Sequence, residues 1–186
     1  MKLKIPIKPI LILLLIALVI WGAWKLYWMT RPVTVAYYKG FPLSFRADLR
    51  KAEKVQVQPD EQVIRDMFWD YRLENITILF KPGSTKTNGL YQLEVFELTY
   101  KLTIIYKNSP FATFNTKTIT AQPIDSYDNI TREEGILKVI LVPPEYSDET
   151  IVKGAGNKVF IYGKTDINFD LAVIKTILVA MGPRVQ

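Results

Sequence analysis

The sequence predicts an α/β fold, or α+β if its middle pairs as hairpins, and three observations predict it. The C-terminal third alternates strand-like and helix-like runs punctuated by Pro and Gly, the pattern of a partly parallel sheet. Residues 32–186 contain no repeat, no low-complexity tract and no Pro/Gly/Ser-rich linker, and are numerous enough for one domain with a real core. Ahead of them, no charged residue occurs from Pro9 to Trp24, and Ile10–Ile20 is almost wholly aliphatic. The expected architecture is a basic tail and transmembrane signal anchor over 1–31, then one three-layer-like domain with a partly parallel mixed sheet over 32–186.

The N-terminal element comes first. A helix over Ile10–Met29 rises ~30 Å, the thickness of a bilayer's hydrocarbon core. Lys25 lies near one end, where its ammonium can reach the headgroups, and Trp21, Trp24, Tyr27 and Trp28 fall where an aromatic belt belongs. Trp21, Trp24 and Trp28 share one helix face, which serves interfacial anchoring or packing on a partner's membrane helix. A cleaved signal peptide would need a small residue three positions before the cut. Cleavage after Ala23 puts Trp21 there and cleavage after Gly22 puts Ile20 there, so an uncleaved anchor is expected. Counting flanking charges does not decide orientation. A short tail with Lys2, Lys4 and Lys8 crosses poorly, whereas a long domain crosses regardless of charge. The N-terminus is therefore expected in the cytoplasm and the domain outside the cell membrane. The absence of cysteine and the sequons Asn75-Ile-Thr77 and Asn129-Ile-Thr131, possible glycosylation sites, are compatible with that placement.

The domain's elements follow in order. Arg31-Pro32 ends the first helix. Val33–Tyr38 reads as a strand, Ser44–Ala52 as a short helical stretch, and Lys54–Gln58 alternates with period 2. Pro59-Asp60-Glu61 signals a helix start, continued by Val63, Ile64, Met67, Phe68 and Tyr71. Ile76–Phe80 is a buried strand closed by Lys81-Pro82-Gly83. Leu90–Tyr106 mixes both periods: Leu93, Phe96 and Tyr100 suit a helix, Leu98 to Tyr106 in steps of two suit a strand, and a helix giving way to extended structure is expected. Lys117–Ala121 reads as an edge strand and Leu137–Val142 as a strand ended by Pro143-Pro144. Asp148–Lys153 reads as a short helix stopped by Gly154-Ala155-Gly156, and Val159–Tyr162 as a strand. A helix from Asp166 to Met181 stops at Gly182-Pro183.

Charge and composition exclude several function classes. With no Cys and no His, disulfides, thiol nucleophiles, haem ligation by His, zinc fingers and His-dependent triads are impossible. The net charge of +6 is misleading until divided. Residues 1–31 hold five basic groups and no acid, leaving 19 basic groups against 18 acids in 32–186. A near-neutral domain lacks the clustered Lys/Arg that nucleic-acid binding requires.

Few residues could carry chemistry. Gly83–Gly89 sits where a phosphate loop would, but Leu90-Tyr91 stands where Lys-Ser/Thr is needed, so a surface loop is expected. Gly154 and Gly156 precede their strand, the wrong side for dinucleotide binding. Asp66 and Asp70, and Glu94 and Glu97, are carboxylate pairs at helical spacing. An exposed face relieved by Arg65 and Arg72 accounts for the first pair, and an ordinary helical ion pair of Glu97 with Lys101 for the second, without catalysis. Asp166 and Asp170, with Lys164 and Asn168, follow a strand's C-terminal end, where open α/β sheets bind ligands. Helix capping by Asp166 and a favourable first-turn charge at Asp170 explain the two acids equally well. No dense Asp/Asn loop suggests a cation site. Tyr37-Tyr38 and Phe68-Trp69 could line a groove. No catalytic, cofactor-binding or metal-ligating residue is expected.

Leu141-Val-Pro-Pro144, Asn157-Lys-Val-Phe-Ile-Tyr-Gly163 and Phe169-Asp-Leu-Ala172 with Lys175 and Leu178 together resemble the end of the outer domain in single-pass membrane proteins of hyperthermophilic archaea. More loosely, the unit is similar to a module of S-layer-type surface domains. The resemblance implies an archaeal cell-surface location and carries no catalytic residues. Two functional expectations follow. One is a non-enzymatic accessory or scaffold protein, anchored in membrane lipid and joined to a protein partner in a membrane or surface complex. The other is an extracytoplasmic ligand-binding or sensory module with its site near Asp166 and Asp170. A carboxylate-based hydrolase is the remote third.

Overall fold

A computed structural model describes residues 7–30, 34–83, 88–110, 117–128 and 130–182, with side chains of α1 described from Leu14 to Leu26. The first helix, α1, runs Ile7–Thr30. Among the described residues no helix is long and apolar enough to cross a membrane, so the expected span is not established by the fold. The Gly83–Gly89 loop falls largely outside the described residues, as do Asn129, the Arg31-Pro32 helix end and the side chains of Tyr27 and Trp28.

The domain begins with a hairpin, β1 (Thr34–Tyr38) and β2 (Phe41–Phe45), turned by Lys39 and Gly40, both at positive φ. Alternation turns Ala36, Tyr38, Leu43 and Phe45 into the core. The short helix α2 (Leu49–Glu53) then starts at an Asp48 cap, five residues later than the helical reading of Ser44–Ala52, because Phe41–Phe45 alternates and pairs as a strand. Next come β3 (Gln56–Gln58), α3 (Glu61–Trp69), β4 (Asn75–Phe80), α4 (Asn88–Lys107), β5 (Thr118–Pro123) and β6 (Ile136–Val142). A 3-10 turn at Pro144–Tyr146 leads to β7 (Ile151–Ala155), β8 (Lys158–Tyr162) and α5 (Asp166–Met181).

The main sheet has the order β3-β7-β8-β6-β4-β5. The β5/β4, β4/β6, β6/β8 and β3/β7 pairs are parallel and β7/β8 is antiparallel, so the partly parallel mixed sheet is present. The helix read over Asp148–Lys153 is instead strand β7. Gly156-Asn157, with Gly156 at φ 62°, forms a two-residue hairpin turn to β8, so the Gly154-x-Gly156 stretch ends no helix. Leu90–Tyr106 is helical throughout, with no extended tail.

Among the described residues the layers number two, not three. α2, α3, α4 and α5 pack in a single core against one face of the sheet, meeting Ile76, Ile78, Leu137, Val139, Leu141, Val159 and Ile161. The other face carries Leu79, Ile140 and Val142, covered by Ile124, Tyr127 and Ile130 of the 124–131 segment. That segment is held by Tyr127, whose hydroxyl donates to the Leu141 carbonyl at 2.8 Å, and by the ammonium groups of Lys138 and Lys158, which donate to the Thr131 and Ile130 carbonyls. α5 lies at the centre of the helical layer. Ten of its sixteen residues are buried, so it is apolar nearly all round instead of on one stripe. Its C-terminal carbonyls are met by α3: Trp69 Nε1 donates to Ala180 O at 2.9 Å and Arg65 Nε to Val179 O at 3.2 Å.

Candidate functional site

The parallel strands β4 and β8 both deliver the chain at the same edge of the sheet, and each is followed by a helix, α4 and α5 respectively. The N-terminal halves of those two helices leave a cleft of about 230 Å³ between them, roofed by Phe45 and Arg46. Its walls include the aliphatic side chains of Leu90, Leu93, Val173 and Ile177. Into it project Glu94, Glu97 and Lys101 from α4, and Asp166 and Asp170 from α5.

The local sequence dictates this. On α4 the buried positions are Tyr91, Glu94, Leu98, Lys101, Leu102, Ile105 and Tyr106, and the steps of three and four through Tyr91, Glu94, Leu98, Lys101 and Ile105 place Glu94 and Lys101 in line with the core. Phe96 and Tyr100 stack on each other on the opposite, exposed face, their rings 5.8 Å apart. The helix is thus the expected one turned about its axis. On α5, Thr165 is the N-cap, its hydroxyl accepting from Asn168 N at 3.2 Å. The capping role assigned to Asp166 therefore belongs to Thr165, and Asp166 is left facing the cleft.

The electrostatics are unusual for a chain with so few buried charges. Glu94 is 1% exposed, and its Oε2 has no hydrogen-bond partner among the described residues. An unpaired buried polar atom costs ~1–3 kcal/mol. Burial, and then the negative charge of Asp170, pushes the Glu94 carboxyl up to about 8, so it holds its proton at neutral pH. Burial also raises Asp170, against the pull of Lys101 and Arg46. Lys101 is held down to about 8 by burial, opposed by Glu94 and Asp170. Its ammonium bridges Glu97 and lies 4.3 Å from the centre of the Phe45 ring. The cleft thus combines a neutral buried acid, a half-buried acid and an engaged ammonium inside aliphatic walls.

The other expected residues are distributed elsewhere. Lys164 precedes α5 and Asn168 lies in its first turn, but neither lines the cleft, so only the two acids of that foursome meet there. Asp66 is exposed and accepts from Gln62 Nε2 at 2.6 Å. Asp70 is not its helical neighbour, because α3 ends at Trp69. It is bridged by Arg72 at 2.8 Å, which holds its carboxyl below the usual range. Asn75 opens β4, a strand hydrogen-bonded on both sides, and Thr77 is buried with its hydroxyl 3.3 Å from that of Thr120. Tyr38 and Phe68 are core residues, so neither aromatic pair lines a groove. Among the described residues no group of three Asp or Glu converges to hold a metal ion. Trp21 and Trp24 are exposed, and Lys25 Nζ lies 5.1 Å from the Trp21 ring centre. The sequence marks Glu94 only beside the Glu97–Lys101 helical ion pair, which is present; the three-and-four spacing of Tyr91, Glu94, Leu98, Lys101 and Ile105 is the signal for its burial.

No protein-family model matches the chain, and no curated protein and no solved structure matches it.

Proposed function

We propose that the chain is a membrane-anchored, non-catalytic binding module that takes a small ligand in the α4–α5 cleft. The observation that carries this reading is Glu94: a carboxyl buried in a cleft wall, with an oxygen that nothing among the described residues satisfies. Asp166 and Asp170, placed by sequence at a ligand-binding strand end, stand on the same cleft. The anchor reading rests on α1. Its described large apolar side chains are 48–68% exposed, surface that lipid would cover. The cell-surface, archaeal placement rests on the resemblance of the 141–178 stretch alone.

Two experiments test this. A mixed set of small amines, acids, sugars and peptides should contain at least one compound that raises the melting temperature. Leu93→Trp, which fills the cleft, should abolish that response. A flat response, or one that survives Leu93→Trp, rejects the cleft as a binding site. For topology, Tyr71→Cys installs a unique thiol at a residue 79% exposed. Labelling by an impermeant maleimide in intact cells places the domain outside; labelling only after lysis places it in the cytoplasm.

The accessory-protein reading has its own observation. The second sheet face is only partly covered and bears stacked Phe160 and Tyr162, with Tyr127 packed edge-on against Tyr146 at 5.4 Å. A chain that co-purifies from native membranes with a second protein, and loses it on Phe160→Ala, would favour that reading.

A further inference from the structure

The cleft holds more acid than base, and the surplus is buried. The charged groups facing Glu94 are Glu97 and Lys101 on its own helix, Asp166 and Asp170 on α5, and Arg46 just after β2. Lys101 is already engaged by Glu97 and the Phe45 ring, and Arg46 is exposed to water. Neither base is bonded to Glu94 Oε2, which is without a partner. A chemically complementary occupant is therefore a donor carrying positive charge. The walls ask for more than a bare ion: Leu90, Leu93 and Val173 present aliphatic surface, and no three acids converge as metal ligands among the described residues. Size narrows the class again. At about 230 Å³ the cleft is smaller than the ~300–1,000 Å³ sites that enclose drug-sized molecules. It has room for one head group and a short stem, not for a nucleotide or a sugar chain.

We infer that the cleft binds an organic cation, a primary ammonium on a short alkyl stem, with Glu94 as its counter-ion, Asp170 as a second acceptor and the stem against Leu93 and Val173. This rests on the reading of the domain as a ligand-binding module. Binding is coupled to proton release, because the buried Glu94 carboxyl gives up its proton when an ammonium arrives. Affinity therefore rises with pH, by up to ~10-fold per pH unit below about 8. Lys101 loses its competing charge as pH passes about 8, which adds to the same trend. The rise stops where the alkylamine itself deprotonates, near ~10.4.

The test uses the full chain in detergent, with n-butylammonium, n-butanol and butyrate as probes, at pH of about 6 and about 8. Only butylammonium should raise the melting temperature, and its dissociation constant by calorimetry should be at least ~10-fold lower at the higher pH. Glu94→Gln should remove the pH dependence. Asp170→Asn, on the other wall, should weaken binding while leaving the pH dependence in place, so the inference stays testable if Glu94→Gln fails to fold. Equal stabilisation by butanol, preference for butyrate, or pH-independent binding of butylammonium overturns the cation while leaving a ligand-binding cleft. No response to any probe at either pH overturns both.

Discussion

Gly163 is the position where a single methyl group should do most damage. It ends β8, its N–H continuing the β6–β8 ladder to Val142 O at 3.2 Å, and the first turn of α5 packs directly on its Cα. A Cβ built there would lie 2.3 Å from Phe169 Cα, 2.4 Å from its Cβ and 2.6 Å from its N, where ordinary contact begins at 3.4 Å. Two of those three atoms are backbone, so no rotamer relieves the clash and α5 must move outward by about 1 Å. That displaces the fully buried Phe169 from its edge contact on Tyr91 and disturbs the Thr165 cap. Overpacking of this kind costs ~1–3 kcal/mol and loss of a cap adds ~1 kcal/mol. A total of about 3 kcal/mol lowers the melting temperature of a domain this size by roughly 6–12 °C. Gly154→Ala is the control. Its Cβ would also come within 2.3 Å of an atom, but that atom is Ile64 Cδ1, a side-chain tip that can turn away. It should cost ~1 kcal/mol, at the low end of overpacking. Thermal melts of both variants by circular dichroism decide the matter. A Gly163→Ala protein melting within about 3 °C of the parent, or above Gly154→Ala, would refute the argument that backbone proximity sets the cost.

Three further outcomes are expected. Glu94, raised to about 8, keeps in the folded state a proton that the unfolded chain releases near ~4.3. Its contribution to stability therefore falls as pH climbs between those values, by up to ~1.4 kcal/mol per pH unit. Lys101, lowered to about 8, is bound by fewer protons folded than unfolded between about 8 and ~10.4, so its contribution rises there. Together they put a stability minimum near pH 8, and denaturant midpoints across pH should lose the falling limb in Glu94→Gln. Lys175 is buried, its Nζ donating to Glu53 O at 2.9 Å and to Glu61 Oε1 at 2.5 Å, while the Glu61 side chain is half exposed. Lys175→Met should therefore cost only ~1 kcal/mol, since water solvates Glu61, whereas Glu61→Ala strands the ammonium and should cost ~2–3 kcal/mol; urea midpoints in the reverse order would refute this. Asp66→Asn should shift stability by less than ~0.5 kcal/mol in the same assay, because the residue is exposed and its one partner is Gln62.

Much of the fold is legible locally. Strands β4, β6 and β8 are short apolar runs closed by Pro or Gly, α3 carries a start signal and α5 a stop signal, so all five stand within a residue or two of where sequence places them. What fails is what tertiary pairing decides. Ser-Asp-Glu-Thr-Ile-Val-Lys reads as a helix because its charges space like one. Yet Ile151 and Val152 are β-branched and Gly156-Asn157 is a hairpin turn, so pairing with β8 and β3 prevails. The count of layers fails for a related reason. Nothing in Ile124–Thr131 marks it as a cover; the Tyr127 hydroxyl on Leu141 O and the lysines reaching to its carbonyls from β6 and β8 hold it there. In the site, Asp166 and Asp170 are legible because strand ends are. Glu94 is legible only as a number in a spacing, since nothing local tells which face of a helix with two apolar stripes turns inward.

The buried charges separate a structural role from a functional one. Lys117, Lys175 and Glu94 are all nearly inaccessible, Lys175 and Glu94 on helices and Lys117 just before β5. Lys117 donates to the Asp70 and Leu73 carbonyls just past α3, and Lys175 to the carbonyl of Glu53 at the end of α2. Lys175 satisfies a helix-terminal acceptor, and Lys117 the C-cap carbonyl of α3 and a turn carbonyl beyond it, so architecture alone accounts for burying both. Glu94 does the reverse: it adds an unsatisfied acceptor to the interior and completes no helix end. Leucine at that position, in line with Leu98 and Leu102, would pack the α4–α5 seam without the desolvation cost. A group that architecture does not require, and that weakens the core it sits in, is accounted for by what it meets in the cleft.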